Sequence, residues 1–174
     1  MLRSSSNAGV VFAEAVEQHQ NDLYAFAYRL LGQRSDAEDA LQEAFVKALR
    51  AVGSRQVAAA PPRAWLFRAV YHCCIDERRR QKRTTHDVLD ESVIVAAPEP
   101  EAELVRELSA ALLALPVPTR AAVLLVDVHG LAYAEAAEVL ELPRGTVASR
   151  LNHGRDALRA ALAAHAPHNK ERIQ

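Results

Sequence analysis

The chain has 174 residues, of which half are apolar and a quarter charged, and its 21 Lys and Arg nearly cancel its 22 Asp and Glu to leave a formal net charge of −1. That composition excludes a mainly disordered chain, and the near-cancellation argues against a uniformly basic nucleic-acid coat or a polycationic membrane binder. No apolar run approaches the roughly 20 residues that span a bilayer, and Met1–Gly9 lacks a signal-peptide pattern, so a cytoplasmic protein without membrane insertion is expected.

The charge is segregated along the chain. Residues 1–34 are neutral, 35–51 carry −2, 52–83 carry +6, 84–115 carry −6, 116–142 carry −3 and 143–174 carry +4. Near-neutrality therefore conceals two basic surfaces, each suited to phosphate, separated by acidic segments that repel it.

Apolar spacing predicts helices almost throughout. Phe12, Ala13, Val16, Leu23, Phe26, Ala27, Leu30 and Leu31 define a first helical region, with a break expected near Gln18–Asn21 and a stop at Gly32. Ser35-Asp36-Ala37-Glu38 reads as a capping box that opens a second helix, whose stripe is Ala37, Ala40, Leu41, Ala44, Phe45, Ala48 and Leu49 and whose end is Gly53. Pro62 suits the first turn of a third helix. That helix carries Trp65, Leu66, Ala69, Val70 and Cys73 on one face and runs into Arg78, Arg79, Arg80, Lys82 and Arg83, more cations than capping needs.

Residues 84–100, acidic and proline-bearing, read as a linker between two domains, 10–83 and 101–163. Beyond it Leu104, Val105, Leu108, Ala111, Leu112 and Leu115 form an amphipathic helix, followed by a short helix over about 119–128. A helix through Tyr133, Ala136, Ala137 and Leu140, a break at Leu142-Pro143-Arg144-Gly145 and an Arg-bearing helix through Val147, Leu151 and Leu158 match a helix-turn-helix, whose second helix enters the major groove. The fold class expected is all-α, with two small helical domains joined by the acidic linker.

Cys73 and Cys74 are adjacent and cannot readily pair with each other, and no second cysteine pair supplies zinc-ribbon spacing. They read as two small thiols on a helix face. No Gly-rich phosphate loop or catalytic triad signature is present, so no enzyme, cofactor or metal site is expected.

Three motifs in order give the chain a family resemblance. Asp36-Ala37-Glu38-Asp39-Ala40-Leu41-Gln42-Glu43-Ala44-Phe45 resembles region 2.2 of a bacterial RNA polymerase sigma factor of the extracytoplasmic-function (ECF) type. Trp65-Leu66-Phe67-Arg68 through Ile75-Asp76 resembles regions 2.3 and 2.4, and Gly130-Leu131-Ala132-Tyr133 through Pro143-Arg144-Gly145-Thr146-Val147-Ala148-Ser149-Arg150-Leu151 resembles region 4. The resemblance implies a transcription initiation factor that binds core RNA polymerase through its β′ clamp and β subunits, melts the minus-ten element and reads the minus-thirty-five duplex. Asp39, Gln42 and Glu43 then occupy the polymerase-docking positions. Arg63, Arg68, Tyr71, His72, Arg78, Arg79 and Arg80 offer a basic, partly aromatic surface to the displaced strand. Arg144, Thr146, Ser149, Asn152, His153 and Arg155 face the duplex. An anti-sigma partner that clamps or separates the domains is also expected.

Several positions depart from the family's habit. His72 stands where Asn is common, Ala148 and His153 where basic residues are common, and Ala132 where Ser or Thr caps the first helix of the motif. Fewer fixed cations on the reading helix imply weak DNA affinity for the protein on its own. Two other readings compete: an ordinary helix-turn-helix regulator with an N-terminal dimerisation or effector domain, and a metal or redox sensor using Cys73, Cys74, His72, His165 and His168. The first leaves the Asp39–Glu43 and Trp65–Arg83 patterns unexplained, and the second lacks tetrahedral ligand spacing.

Overall fold

The computed structural model describes residues 3–54, 62–84 and 100–165, so the linker expected at 84–100 lies, apart from its two ends, outside the described residues, as does His168. The described residues form seven α-helices: α1 (Arg3–Leu31), α2 (Arg34–Gly53), α3 (Arg63–Thr84), α4 (Pro100–Ala114), α5 (Val117–Val123), α6 (Tyr133–Leu140) and α7 (Arg144–His165).

The break expected near Gln18–Asn21 does not occur; α1 is continuous. His19 is half-buried between the turns of Val16 and Leu23, so the inward stripe of Phe12, Val16, Leu23, Phe26 and Leu30 passes through the polar stretch without a gap. Gly32, at φ 85°, ends the helix in the left-handed conformation that suits glycine.

The capping box expected at Ser35 is also absent. The helix begins two residues earlier than that cap requires, at Arg34 with Gln33 as N-cap and no side-chain cap, while Ser35 Oγ turns to Asp36 Oδ1 at 3.2 Å and Glu38 accepts from Arg34 Nε at 2.8 Å. With Ser35 already inside the first turn, its hydroxyl cannot bond the N–H that a cap must reach. The stripe was right in phase and wrong in emphasis. The buried residues of α2 are Ala37, Ala40, Ala44, Ala48 and Val52, whereas Leu41 and Phe45 are half-buried and Leu49 is exposed. Alanines let α2 approach α1 and α3 closely, and the larger side chains fall to the edges of that contact.

The C-terminal half is built from α4 to α7. After α5 the chain makes one wide π turn over Leu124–Val128 before Gly130, at φ 67°, so the single short helix expected over 119–128 is a helix with a bulge at its end. The turn between α6 and α7 is Glu141-Leu142-Pro143, three residues that end just before the expected break does, because Arg144 already begins α7. Pro143 carbonyl oxygen accepts from the N–H groups of Thr146 and Val147 at 2.9 and 3.1 Å. Gly154 lets α7 pass against α5; a Cβ there would stand 2.6 Å from Val123 Cγ2.

The two halves share one contiguous apolar core. α3 lies against α6, and α1 against α4 and the π turn. Arg120, only 3% exposed, ties them: its guanidinium donates to the carbonyl oxygens of Leu30 (2.6 Å), Leu115 (3.0 Å) and Leu113, gathering the ends of α1 and α4 on one cation. Burial pulls its pKa down to about 10, which leaves it protonated at neutral pH.

Candidate nucleic-acid interface

On α2, successive residues of one face point outward. Asp39 and Gln42 are exposed, and Val46 and Leu49, at i+7 and i+10 from Asp39, extend the same face with about half of each apolar side chain uncovered. Glu43 departs from them. It turns toward α3, where its carboxylate accepts from Lys47 at 2.9 Å and from Arg80 at 3.0 and 3.2 Å. Those hydrogen bonds hold its pKa below the usual carboxylate range. Val46 and Leu49 escaped the sequence reading because the stripe placed Leu49 inside and gave Val46 no part.

The cations of α3 are for the most part engaged. Arg80 also meets Glu77 at 3.1 Å, Arg79 reaches Asp76 at 3.5 Å, and Gln81 donates to Asp36 at 2.6 Å. Arg63 bonds Asp22 at 3.0 Å and the His129 carbonyl oxygen at 2.8 Å, with its guanidinium 5.1 Å from the centre of the Phe67 ring. Arg68 donates to Glu141 of the helix-turn-helix. His72 Nε2 is 3.7 Å from the same carboxylate, and Tyr71 is buried beneath it, its hydroxyl pKa pushed up by that burial.

Two clefts flank α3. One, of about 370 Å3, is lined by Tyr71, His72, Ile75, Asp76, Arg79, Leu140 and Glu141. The other, of about 330 Å3, runs past Lys47, Trp65, Ala69, His72 and Cys73. Trp65, on the apolar face of α3, is only half-buried and lines the second cleft. Thus Arg63, Arg68, Tyr71, His72, Arg79 and Arg80 lie on one helix, but Arg63 and Arg68 face the C-terminal half while Arg80 faces α2. Arg78 is half-buried.

His129 closes the seam between the halves. It is 7% exposed, with its ring 5.0 Å from Phe67 and 5.9 Å from Phe26, which meet each other edge-on at 5.4 Å. Burial, reinforced by Arg63 and Arg29 against Asp22, drives its pKa down to about 4, so it is neutral here.

The reading helix is presented differently. Arg144, Ser149, Asn152 and His153 are exposed and Thr146 half-buried, all within the first three turns of α7, while Val147 and Leu151 anchor the opposite side in the core. Arg155 is held instead by a two-pronged pair with Asp127, at 2.6 and 3.0 Å, which raises its already high pKa. Ala132 is the N-cap of α6, and Glu135 accepts from its N–H at 2.8 Å, so the reciprocal half of a capping box survives without the hydroxyl.

Both thiols are buried and their pKa values pushed up, the opposite of a reactive cysteine, and no cluster of three or more His, Cys, Asp or Glu side chains able to hold a metal occurs among the described residues. Among them, no helix is long and apolar enough to cross a membrane.

A three-helix unit followed by a helix-turn-helix, with basic residues on the third helix and polar ones on the last, defines the promoter-reading class of sigma proteins. Residues 15–84 match the family model described as sigma-70 region 2, and residues 105–158 that of sigma-70 region 4. The chain is 39% identical over 160 residues to the ECF RNA polymerase sigma factor SigE of Mycolicibacterium smegmatis, covering 87% of this chain and 62% of that relative's length. It is 35% identical to SigM of Mycobacterium tuberculosis over 84% of this chain and 74% of SigM, and 32% identical to SigW of Bacillus subtilis over 87% and 88%. Among solved structures it superposes on the sigma factor RpoE of Bartonella quintana, in complex with the anti-sigma factor NepR, with a TM-score of 0.72 and 25% identity over 87% of this chain and 96% of RpoE. CnrH in complex with the cytosolic domain of CnrY gives 0.66 and 27% over 92% and 95%.

The chain belongs to the ECF RNA polymerase sigma factors. It is a non-enzymatic protein that directs RNA polymerase to promoters and binds DNA through its region 4 helix-turn-helix.

Proposed function

We propose that the outer face of α2 docks on core RNA polymerase through Asp39 and Gln42, that α3 captures the displaced strand of the minus-ten element, and that the start of α7 reads the minus-thirty-five duplex. The observation that carries this reading is the exposure of Arg144, Ser149, Asn152 and His153 at the beginning of a helix whose other side is locked into the core. Arginine, hydroxyl and amide groups so placed meet phosphates and base edges together. Glu43 belongs to the docking set only when it exchanges its partners on Lys47 and Arg80, and Arg155 to the reading set only when it leaves Asp127. Residues 10–83 and 101–163 are the working units, and the protein acts in the cytoplasm, where promoters and polymerase are.

RpoE was captured with the anti-sigma factor NepR and CnrH with the cytosolic domain of CnrY, and the likeness of this chain to both supports a comparable partner for it. Run-off transcription with purified core polymerase and genomic promoter fragments tests the whole reading. Promoter-specific transcripts that disappear in the double variant Asp39→Ala, Gln42→Ala are expected; no binding to core and no specific initiation would refute it.

A further inference from the structure

Glu141 is the one non-glycine residue with positive φ, 54°, among the described residues. A glycine would adopt that conformation without steric cost, and a residue kept in it despite its Cβ invites the question of what its side chain does. The carboxylate serves the other half of the molecule. It accepts from Arg68 and lies 3.7 Å from His72 Nε2, at the mouth of the cleft bounded by Tyr71 and Arg79. These are the α3 groups assigned above to the displaced strand. A carboxylate offers a guanidinium the same charge and paired acceptor oxygens as a phosphate.

We propose that Glu141 is a built-in phosphate mimic that latches the helix-turn-helix onto α3 and keeps single-stranded DNA off it in the factor outside the polymerase complex. The proposal rests on the reading of α3 as the strand-binding helix. Arg68 and Glu141 are each about half exposed, so the latch is salt-sensitive and easily opened; the apolar contact of His129 with Phe26 and Phe67 supplies the standing closure beside it.

The test uses the full chain and two readouts, so that the latch and the strand-binding reading fail separately. Hydrogen exchange of α3 and α6 amides reports closure, and fluorescence anisotropy with a labelled random-sequence single-stranded oligonucleotide reports access. Glu141→Gln keeps the size and removes the charge; Glu138→Gln, on the exposed side of α6, removes the same charge elsewhere. Faster exchange at the seam and about threefold to tenfold tighter oligonucleotide binding at low salt are expected for Glu141→Gln and not for Glu138→Gln. Equal effects of the two variants, or none, would overturn the latch. Faster exchange without tighter binding would leave Glu141 a clasp but overturn the strand-binding role of Arg68 and His72, and the phosphate mimicry with it. The charge exchange Arg68→Glu, Glu141→Arg should recover slow exchange relative to Arg68→Glu alone; failure to recover would also count against the pairing.

Discussion

The surfaces of α3 and α7 both carry arginines, more of them on α3, and stand in opposite circumstances. On α3, Arg63, Arg68, Arg79 and Arg80 each hold a carboxylate, and Arg63 and Arg68 hold theirs or a carbonyl across the seam. At the start of α7, no ion pair among the described residues involves Arg144, and Ser149, Asn152 and His153 beside it face outward. Reading a duplex requires only a rigid face, already formed. Capturing a strand requires groups that must first let go of something. If α3 and α7 meet the two promoter elements as proposed, one of those surfaces is ready and the other is occupied.

Breaking the seam is the strongest way to disturb that contrast. Arg120→Leu strands the buried carbonyl oxygens of Leu30 and Leu115 and the part-buried one of Leu113, and is expected to cost about 3–5 kcal/mol, read as a lower urea midpoint and as separate unfolding of the two halves in place of one transition. Acid acts on the same seam through His129. Its pKa is about 4 in the closed structure against 6.5 when solvated, so closure is fully favoured above pH 6.5 and weakens as pH falls toward 4. Asp22 opposes the shift, while Arg63 and Arg29 reinforce it. About 2 kcal/mol should be lost between pH 7 and pH 5, visible as a larger radius of gyration in X-ray scattering, and His129→Gln should flatten that dependence. The smallest effect sharpens the open side of the comparison. His153→Arg adds a fixed cation to α7 and should tighten binding to a minus-thirty-five duplex about fivefold at moderate salt, measured by anisotropy with the full chain.

The helices and the helix-turn-helix were legible because each rests on local periodicity, and the charge blocks pointed to both basic surfaces. What joins the surfaces was not legible. Arg63 meets His129, Arg68 meets Glu141 and Arg120 meets Leu30 across 66, 73 and 90 residues. No spacing rule reaches so far, and Arg120 is an isolated cation in an apolar stretch with no pattern to mark it as buried. Local rules failed where packing overrode them. Ser35 lost its capping role when α2 began two residues early, and the alanines of α2 took the interior from Leu41, Phe45 and Leu49 because helix proximity outweighed side-chain size. The left-handed Glu141 carried a faint signal, a charged residue just past the last apolar position of α6, where a glycine is the ordinary stop.

The tie made by Arg120 bears on how long an opened molecule lasts. Swinging the halves apart uncovers the Leu30 carbonyl and the apolar faces of Phe26 and Phe67 together, and water is a poor exchange for the second of these. An opened chain with no partner therefore recloses quickly, and its lifetime is set by whatever occupies the gap. The number of open factor molecules at any moment would then be set by the supply of such a partner as well as by the amount of factor.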